Sequence, residues 1–580
     1  MSNNNNKLVL KLAGSAGQGI KTAGLIIARA LKRSGFMTFG YTEYPSLIRG
    51  GHNVYQIEVY DQNITAVSLE TDILLALDQP SIVLHYQEIP QGGAIIYDEN
   101  TIKIEPDLQK EIETRGIKLY PLKLLEVAKN AGGNVLMKNT VALGALWKLL
   151  GIDVEHVKAL IAETYNKSQE MVDLNTKCLE AGYNEIKNDE TYGSNLTPHD
   201  EYKDNMIIAG NEAIAMAAIA SGVRLYSSYP MTPASSILTY LAEEGPKYGM
   251  IIKQAEDEIT SANMVIGAYH GGTRAFCGTS GGGFDLMTEA LSLSGITEVP
   301  FVCVIGQRPG PGTGVPTGTA QGDLNLAIYA GHGDFARIVI APGDANEAFY
   351  LTSEAFNLAE IFQTPTLILS DKMLGESNYS VKPYDMSKIT VSRGKIVAPD
   401  GNEHLRYEIT EDGVSPRWFP GDDISTYHAN SDEHNEKGQS TEDAIEIKAM
   451  MDKRARKMAT IKASLPEPTI YGDQHNAQIK IVSWGSNKNT ILAAMQALEA
   501  EGIKCSYMHI TYMWPLKTET ISTYLVDNNN NAIIFESNAS GQLAHLIKTE
   551  TGIDIKHKHL KYDGKPIFVE EIISALKAIV

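Results

Sequence analysis

The sequence predicts an α/β protein made of three α/β domains with mainly parallel sheets. Its 580 residues exceed what one hydrophobic core holds, and length alone suggests about three or four domains. Short apolar runs that pass through a glycine turn into small or apolar residues at helical spacing recur along the chain, as strand–loop–helix units do. Hydrophobic residues at 43% and charged residues at 21% supply ordinary globular material for sheets buried on both faces.

The first domain is read over 1–184. It opens on KLVLKLAGSAGQGIKTAGLIIARALKRSG, continues through the strand-and-turn signal GGAIIYDEN, and closes with helical patterns at 142–150 and 157–165. The polar stretch 185–204, which carries Pro198 and several acidic residues, reads as a linker. A second domain, 205–381, opens at DNMIIAGNEAIAMAAIASGV. Within it RLYSSYP, FVCVIG, ARIVIAPG and TPTLILS alternate with helical segments, the rhythm of a parallel sheet covered on both faces. From 382 to 477 the pattern loosens into a surface-wrapping connector that ends in a mixed-charge helical run at 442–464. The rhythm returns over 478–580 with IKIVSWGSNKNTILAAMQALEAEGIKCSYMHI and NNAIIFESNASGQLAHLI, a third α/β domain.

Charge and cysteine usage exclude several classes. A net charge of -20 opposes any grip on phosphate backbones or anionic membranes, so neither nucleic acid nor membrane is an expected partner. The four cysteines, Cys178, Cys277, Cys303 and Cys505, lie far apart with no CxxC pair, so no iron–sulfur or zinc site is expected on this chain. The start, Met1 to Asn6, is polar, the run Leu8 to Leu12 is broken by Lys11, and no long uncharged apolar stretch follows. A cytoplasmic location is the expectation.

Residues with chemical potential cluster in two places. Gly14, Gly17 and Gly19 follow a strand and precede a helix, where backbone amides can cradle a phosphate or merely pack strand on helix. The order is GxxGxG rather than GxGxxG, and Glu43 stands beside a YPS turn outside a ribose-binding context. Arg49 and His52 then flank a double glycine, as an interface support or an anion contact. In the second domain, Tyr229, Pro230, Thr232 and Pro233 form a stiff turn after a strand, and Thr232 either caps the next helix or meets a ligand. Glu256, Asp257 and Glu258 begin a helix, where carboxylates ordinarily complement the dipole. Arg308 directly follows a buried strand, placed for a surface salt bridge or for a bidentate clamp on a carboxylate.

Taken in order, these segments resemble a known family. GSAGQGIKTAG and YPSLIRGGHN resemble the γ domain of 2-oxoacid:acceptor oxidoreductases. YPMTPASSI, QAEDEITSANMVIGA, RAFCGTSGGGFDLM, QRPGPGTG, SPRWFPG, DEHNEKG, WGSNKNTI and KYDGKPI resemble stretches of the α subunit of 2-oxoacid:ferredoxin oxidoreductases. The resemblance covers nearly the whole chain and implies a γ–α fusion. It makes the second domain a thiamine pyrimidine-binding-like catalytic domain and the third a transketolase C-terminal-like domain. Thr232, with Tyr229 and Pro230 in the same motif, is implied to lie against substrate and thiamine ring, and Arg308 to bind the substrate carboxylate. Glu258, with Glu256 as the alternative, is implied to hydrogen-bond the aminopyrimidine and favour the imino tautomer that removes the thiazolium proton.

The implied reaction oxidatively decarboxylates 2-oxoglutarate with coenzyme A, giving succinyl-CoA, CO2 and reduced ferredoxin. Pyruvate, a branched-chain 2-oxoacid or a broad range are the alternatives. Thiamine diphosphate is expected to be shared with a separate β subunit that brings Mg2+ and a 4Fe-4S cluster, in a dimer of αβ pairs. Four positions depart from the family pattern: Met231 replaces Ile, Gly282 replaces Pro, Asp285 replaces Ser, and Gly318 lies where many relatives carry a basic residue. Two readings from other classes are an NAD-dependent dehydrogenase using the Gly14–Gly19 loop and a noncatalytic assembly subunit.

Overall fold

The computed structural model describes residues 6–47, 50–187, 191–398, 400–422, 425–473, 475–526 and 531–580. Arg49 lies outside the described residues. The chain divides into two compact units, one of Met1–Ile208, Ser377–Pro383 and Phe568–Glu571, the other of Ala209–Glu376, Tyr384–Ile567 and Ile572–Val580.

The first unit is built on an eight-stranded sheet. Lys7–Ser15 runs up its middle as a strand buried along nearly its whole length, parallel to Ile73–Ala76 and antiparallel to His52–Tyr60. Ala94–Asp98 and Lys118–Leu122 extend the parallel half. Met206–Ala209, read from sequence as the opening of the second domain, instead lies at the edge of this sheet beside Asn378–Val381. A strand-to-helix pattern marks a strand without naming the sheet it joins.

The second unit holds two sheets. In the seven-stranded one, Phe301–Gln307, Ala275–Thr279, Leu225–Ser228 and Ile251–Gln254 lie side by side and parallel. Phe301–Gln307 is buried along its whole length, as a strand covered on both faces must be. The five-stranded sheet, centred on Ile479–Trp484 and Cys505–Ile510, is parallel except for the edge strand Thr469–Gly472. Cys505–Ile510 runs almost directly into Tyr512–Trp514, which pairs antiparallel at the edge of the seven-stranded sheet. The chain thus ties the two sheets together. This is the expected α/β class with mainly parallel pairing.

The connector is anchored by buried charge rather than by regular structure. Glu360 receives Arg274 Nε at 2.8 Å, Arg393 Nε at 2.8 Å and Arg417 Nη2 at 3.2 Å. Glu298 receives Lys453 and Lys457, both from helix Ala444–Ser464 and both at 2.6 Å. Among the described residues, Glu298 and Gln363 are the two non-glycines with left-handed backbone, each at φ 48°. Both touch Lys457, which bonds the Glu298 carboxylate and the Gln363 carbonyl. The strained backbone is therefore held by the helix that crosses it.

Candidate active site

Four neighbouring parallel strands deliver the predicted residues to one edge, the carboxyl ends where α/β sheets bind ligands. Arg308 follows Phe301–Gln307, Ser280 to Gly283 follow Ala275–Thr279, Tyr229 to Thr232 follow Leu225–Ser228, and Glu258 comes four residues after Ile251–Gln254.

The Thr232 turn is fixed from three sides. Arg308 Nη1 donates to the Thr232 carbonyl at 2.8 Å. Asn211 Nδ2 donates to the Pro233 carbonyl at 2.8 Å, and the Pro233 ring fills the space beside Gly306, its Cγ 3.1 Å from where a Cβ would stand. Tyr229 and Pro230 are exposed at the rim. Arg308 itself is buried, its Nε sealed from solvent and without a hydrogen-bond partner. Burial pulls its guanidinium below the ordinary arginine range.

Glu258 begins helix Glu258–His270, capped by Asp257, whose carboxylate accepts the Thr260 N–H at 2.7 Å. The three acids divide by environment: Glu258 is 5% exposed, whereas Glu256 points outward and accepts from Thr260 Oγ1 at 3.0 Å. Geometry favours Glu258 over Glu256 for contact with a buried group. A Cβ on Gly283 would overlap Thr279 Oγ1 and come 2.5 Å from Glu258 Oε1, while one on Gly282 would meet nothing closer than the Gly312 carbonyl at 3.6 Å. Gly283→Ala is therefore expected to displace the Glu258 carboxyl and lower turnover at least about tenfold, with Gly282→Ala within about twofold of native. Steady-state assay of the two variants checks this.

Two features went unread in the sequence. Thr279 Oγ1 and Ser280 Oγ are sealed from solvent without hydrogen-bond partners. Gln321 is a hub: its side chain donates to the Trp484 carbonyl at 2.9 Å and accepts from Asn487 Nδ2 and from the Ser537 N–H, each at 2.9 Å. The five-stranded sheet is thus bonded to the loop that runs from Arg308. The stretch GTAQGD was visible in the sequence, but nothing in it announced that a glutamine there would be buried.

In the first unit, the glycine loop is filled by its own side chain. Gln18 Oε1 accepts the Ser15 N–H at 2.7 Å and takes the space a Cβ on Gly14 would need. Nearby, His52 Nε2 and His85 Nε2 share a hydrogen bond of 2.8 Å, and His85 Nδ1 meets Glu88 at 3.0 Å.

Residues 216–453 match the family profile described as pyruvate flavodoxin/ferredoxin oxidoreductase, thiamine diphosphate-binding, and residues 9–185 match that of pyruvate ferredoxin/flavodoxin oxidoreductase. Over 98% of its length the chain is 32% identical to 2-oxoacid:ferredoxin oxidoreductase 2, subunit alpha, of Aeropyrum pernix, of which 97% is covered. The chain belongs to the 2-oxoacid:ferredoxin oxidoreductase α-subunit family. It is also 25% identical to the 2-oxoglutarate oxidoreductase subunit KorA of Mycobacterium tuberculosis, over 98% of this chain and 91% of that one. A solved structure of 2-oxoglutarate:ferredoxin oxidoreductase from Magnetococcus marinus, with 2-oxoglutarate, coenzyme A and succinyl-CoA bound, superposes with a TM-score of 0.92 at 32% identity, covering 99% of each chain.

Gly318, where the sequence led us to expect a basic residue, lies close against another stretch of backbone. A Cβ at 318 would stand 3.1 Å from the Gly564 carbonyl oxygen, and that oxygen accepts the Thr319 N–H at 2.9 Å. The turn of KYDGKPI is laid backbone to backbone on the stretch around Gly318. Among the described residues, no helix is long and apolar enough to cross a membrane.

Proposed function

We propose that this chain is the γ–α subunit of a thiamine-diphosphate-dependent enzyme that oxidatively decarboxylates 2-oxoglutarate with coenzyme A, forming succinyl-CoA, CO2 and reduced ferredoxin. One observation carries the reading: Arg308, Thr232 and Glu258 converge at the carboxyl ends of adjacent parallel strands, beside the unpaired hydroxyls of Thr279 and Ser280. A flat heterocycle bearing ring nitrogens and an amine would satisfy those groups. Thiamine diphosphate held there by Glu258 and Thr232 would supply the electron sink that decarboxylation requires.

The chain's own part is to place charge and protons. Glu258 would share a proton with a ring nitrogen of that cofactor, its carboxyl lying against Gly283 and Thr279. Arg308, with Nη1 committed to Thr232, keeps Nε for the substrate carboxylate and so orients the bond that breaks. Tyr229, Ile259 and Leu286, exposed by 40%, 48% and 51%, surround this edge with apolar surface. They suit cover by a separate β subunit carrying Mg2+ and a 4Fe-4S cluster, in a dimer of αβ pairs reducing ferredoxin in the cytoplasm.

Likeness to the 2-oxoglutarate enzymes of Magnetococcus and Mycobacterium favours 2-oxoglutarate. The Gly318 contact favours a second reading, a broader 2-oxoacid range, because no cation stands at that position to select a second carboxylate. Co-purification of the native complex and assay of coenzyme-A-dependent viologen reduction with 2-oxoglutarate and with pyruvate decides between them. Strong preference for 2-oxoglutarate supports the first reading and comparable rates the second; a lone chain that binds NAD overturns both. Arg308→Ala is expected to lower kcat/KM about 10- to 100-fold, the roughly 1.5–3 kcal/mol of hydrogen bonds to a charged group. Arg308→Lys should recover only part, since one ammonium cannot serve Thr232 and a substrate carboxylate with a planar fork.

A further inference from the structure

The triglycine turn separates two carboxyls. Glu258 lies against Gly283, and Asp323 lies against Gly281, with both Asp323 oxygens 2.5 Å from where a Cβ would stand. The Asp323 N–H donates to Gln307 Oε1 at 3.1 Å, which ties it to the residue next to Arg308. Asp323 Oδ2 is sealed from solvent and has no hydrogen-bond partner, and the same holds for Arg308 Nε. An unengaged buried acceptor and an unengaged buried donor thus stand at one strand end, inside each other's field.

The charges around Asp323 are mixed. Burial, the first cause, and Asp285 together push its carboxyl up to about 6, while Arg308 pulls it down. Asp285 is exposed, and it is the position where the family pattern has serine.

On the function proposed above, we propose that Asp323 is a positioning residue of the 2-oxoacid site: ionised, it holds the Arg308 guanidinium by charge, and it takes up a proton when the substrate carboxylate arrives. A second negative charge beside the half-buried Asp323 disfavours its ionised form. Substrate binding and protonation of Asp323 therefore strengthen each other by the same factor. One proton passes from solvent to Asp323 as the carboxylate docks; it returns to solvent when that carboxylate leaves as CO2. Asp285 adds to the repulsion from outside and sets the pH at which the exchange occurs.

The test measures kcat and KM for 2-oxoglutarate by viologen reduction in the assembled complex, from about pH 5.5 to 8. In the native complex KM is expected to rise about 5-fold or more across this range, the lower end of ordinary coupling between two bound species. Asp323→Asn should flatten that rise to less than about twofold and leave the shape of the kcat profile unchanged. Asp285→Asn should move the inflection of KM to lower pH. A native KM that does not vary with pH overturns the proposal. So does an Asp323→Asn complex that loses kcat uniformly while keeping the native KM profile, which marks a merely structural role. If Asp323→Asn does not assemble, Asp285→Asn decides, and an unmoved inflection counts against the proposal. A native complex that reduces dye with no 2-oxoacid refutes the underlying function, and this proposal falls with it.

Discussion

Glu258→Gln is expected to lower turnover about 10²- to 10⁴-fold while leaving the chain folded and associated with its partner. Glutamine matches the volume of glutamate, and Asp257 still caps the helix through the Thr260 N–H, so its start survives. What is lost is a carboxyl able to hold and return a proton at a buried position. Glu256→Gln is the control: it removes an exposed carboxylate bonded to Thr260 and should stay within about twofold of native. Dye reduction and size-exclusion chromatography of both complexes check this. Equal losses in both variants would move the role away from Glu258.

Glu298→Ala is expected to destabilise the second unit by about 3–5 kcal/mol, read as a loss of midpoint in chemical denaturation. The carboxylate stands alone between two buried ammonium groups, so its removal leaves two positive charges without a counterion. The native cluster already carries one ammonium too many. Burial lowers Lys453 to about 8 despite the carboxylate beside it, whereas Lys453, Lys457 and Arg406 overcome burial to hold Glu298 well below the usual carboxylate range.

The pH dependence follows from those directions. Glu298 binds its proton less readily folded than unfolded, so its contribution is present above its ordinary value of 4.5 and is lost as pH falls through its folded range. Lys453 binds its proton more readily unfolded, so the penalty of burying it is present below about 8 and is relieved as pH rises toward 10.5. Denaturation midpoints across that alkaline window should rise in the native protein relative to Lys453→Met, in which no ammonium titrates.

The strand–glycine–helix rhythm made the sheets legible because period and turn chemistry are local properties. Strand partnership is not local. Met206–Ala209 and Asn378–Val381 lie far apart in sequence and meet at one edge of the first sheet, which no pattern in either announces. The charged helix at 444–464 shows the same limit: Lys453 and Lys457 look like any solvated lysines until Glu298 is found between them. In the candidate site, the residues alone left Thr232, Glu258 and Arg308 open between structural and ligand roles, and the resemblance to the family pointed to them as site residues. Asp323 was hidden, since its significance lies in the missing side chain of Gly281 and the charge of Arg308 rather than in its own neighbours.

Gly318 and Gly564 lie close enough that each limits the other. A side chain at 318 would begin 3.1 Å from the Gly564 carbonyl oxygen and 3.1 Å from the Pro309 ring, so the turn at 561–567 would have to yield by a few tenths of an ångström. Redesign of substrate range through position 318 therefore depends on how readily that turn gives, and a variant there is read correctly only beside one at Gly564.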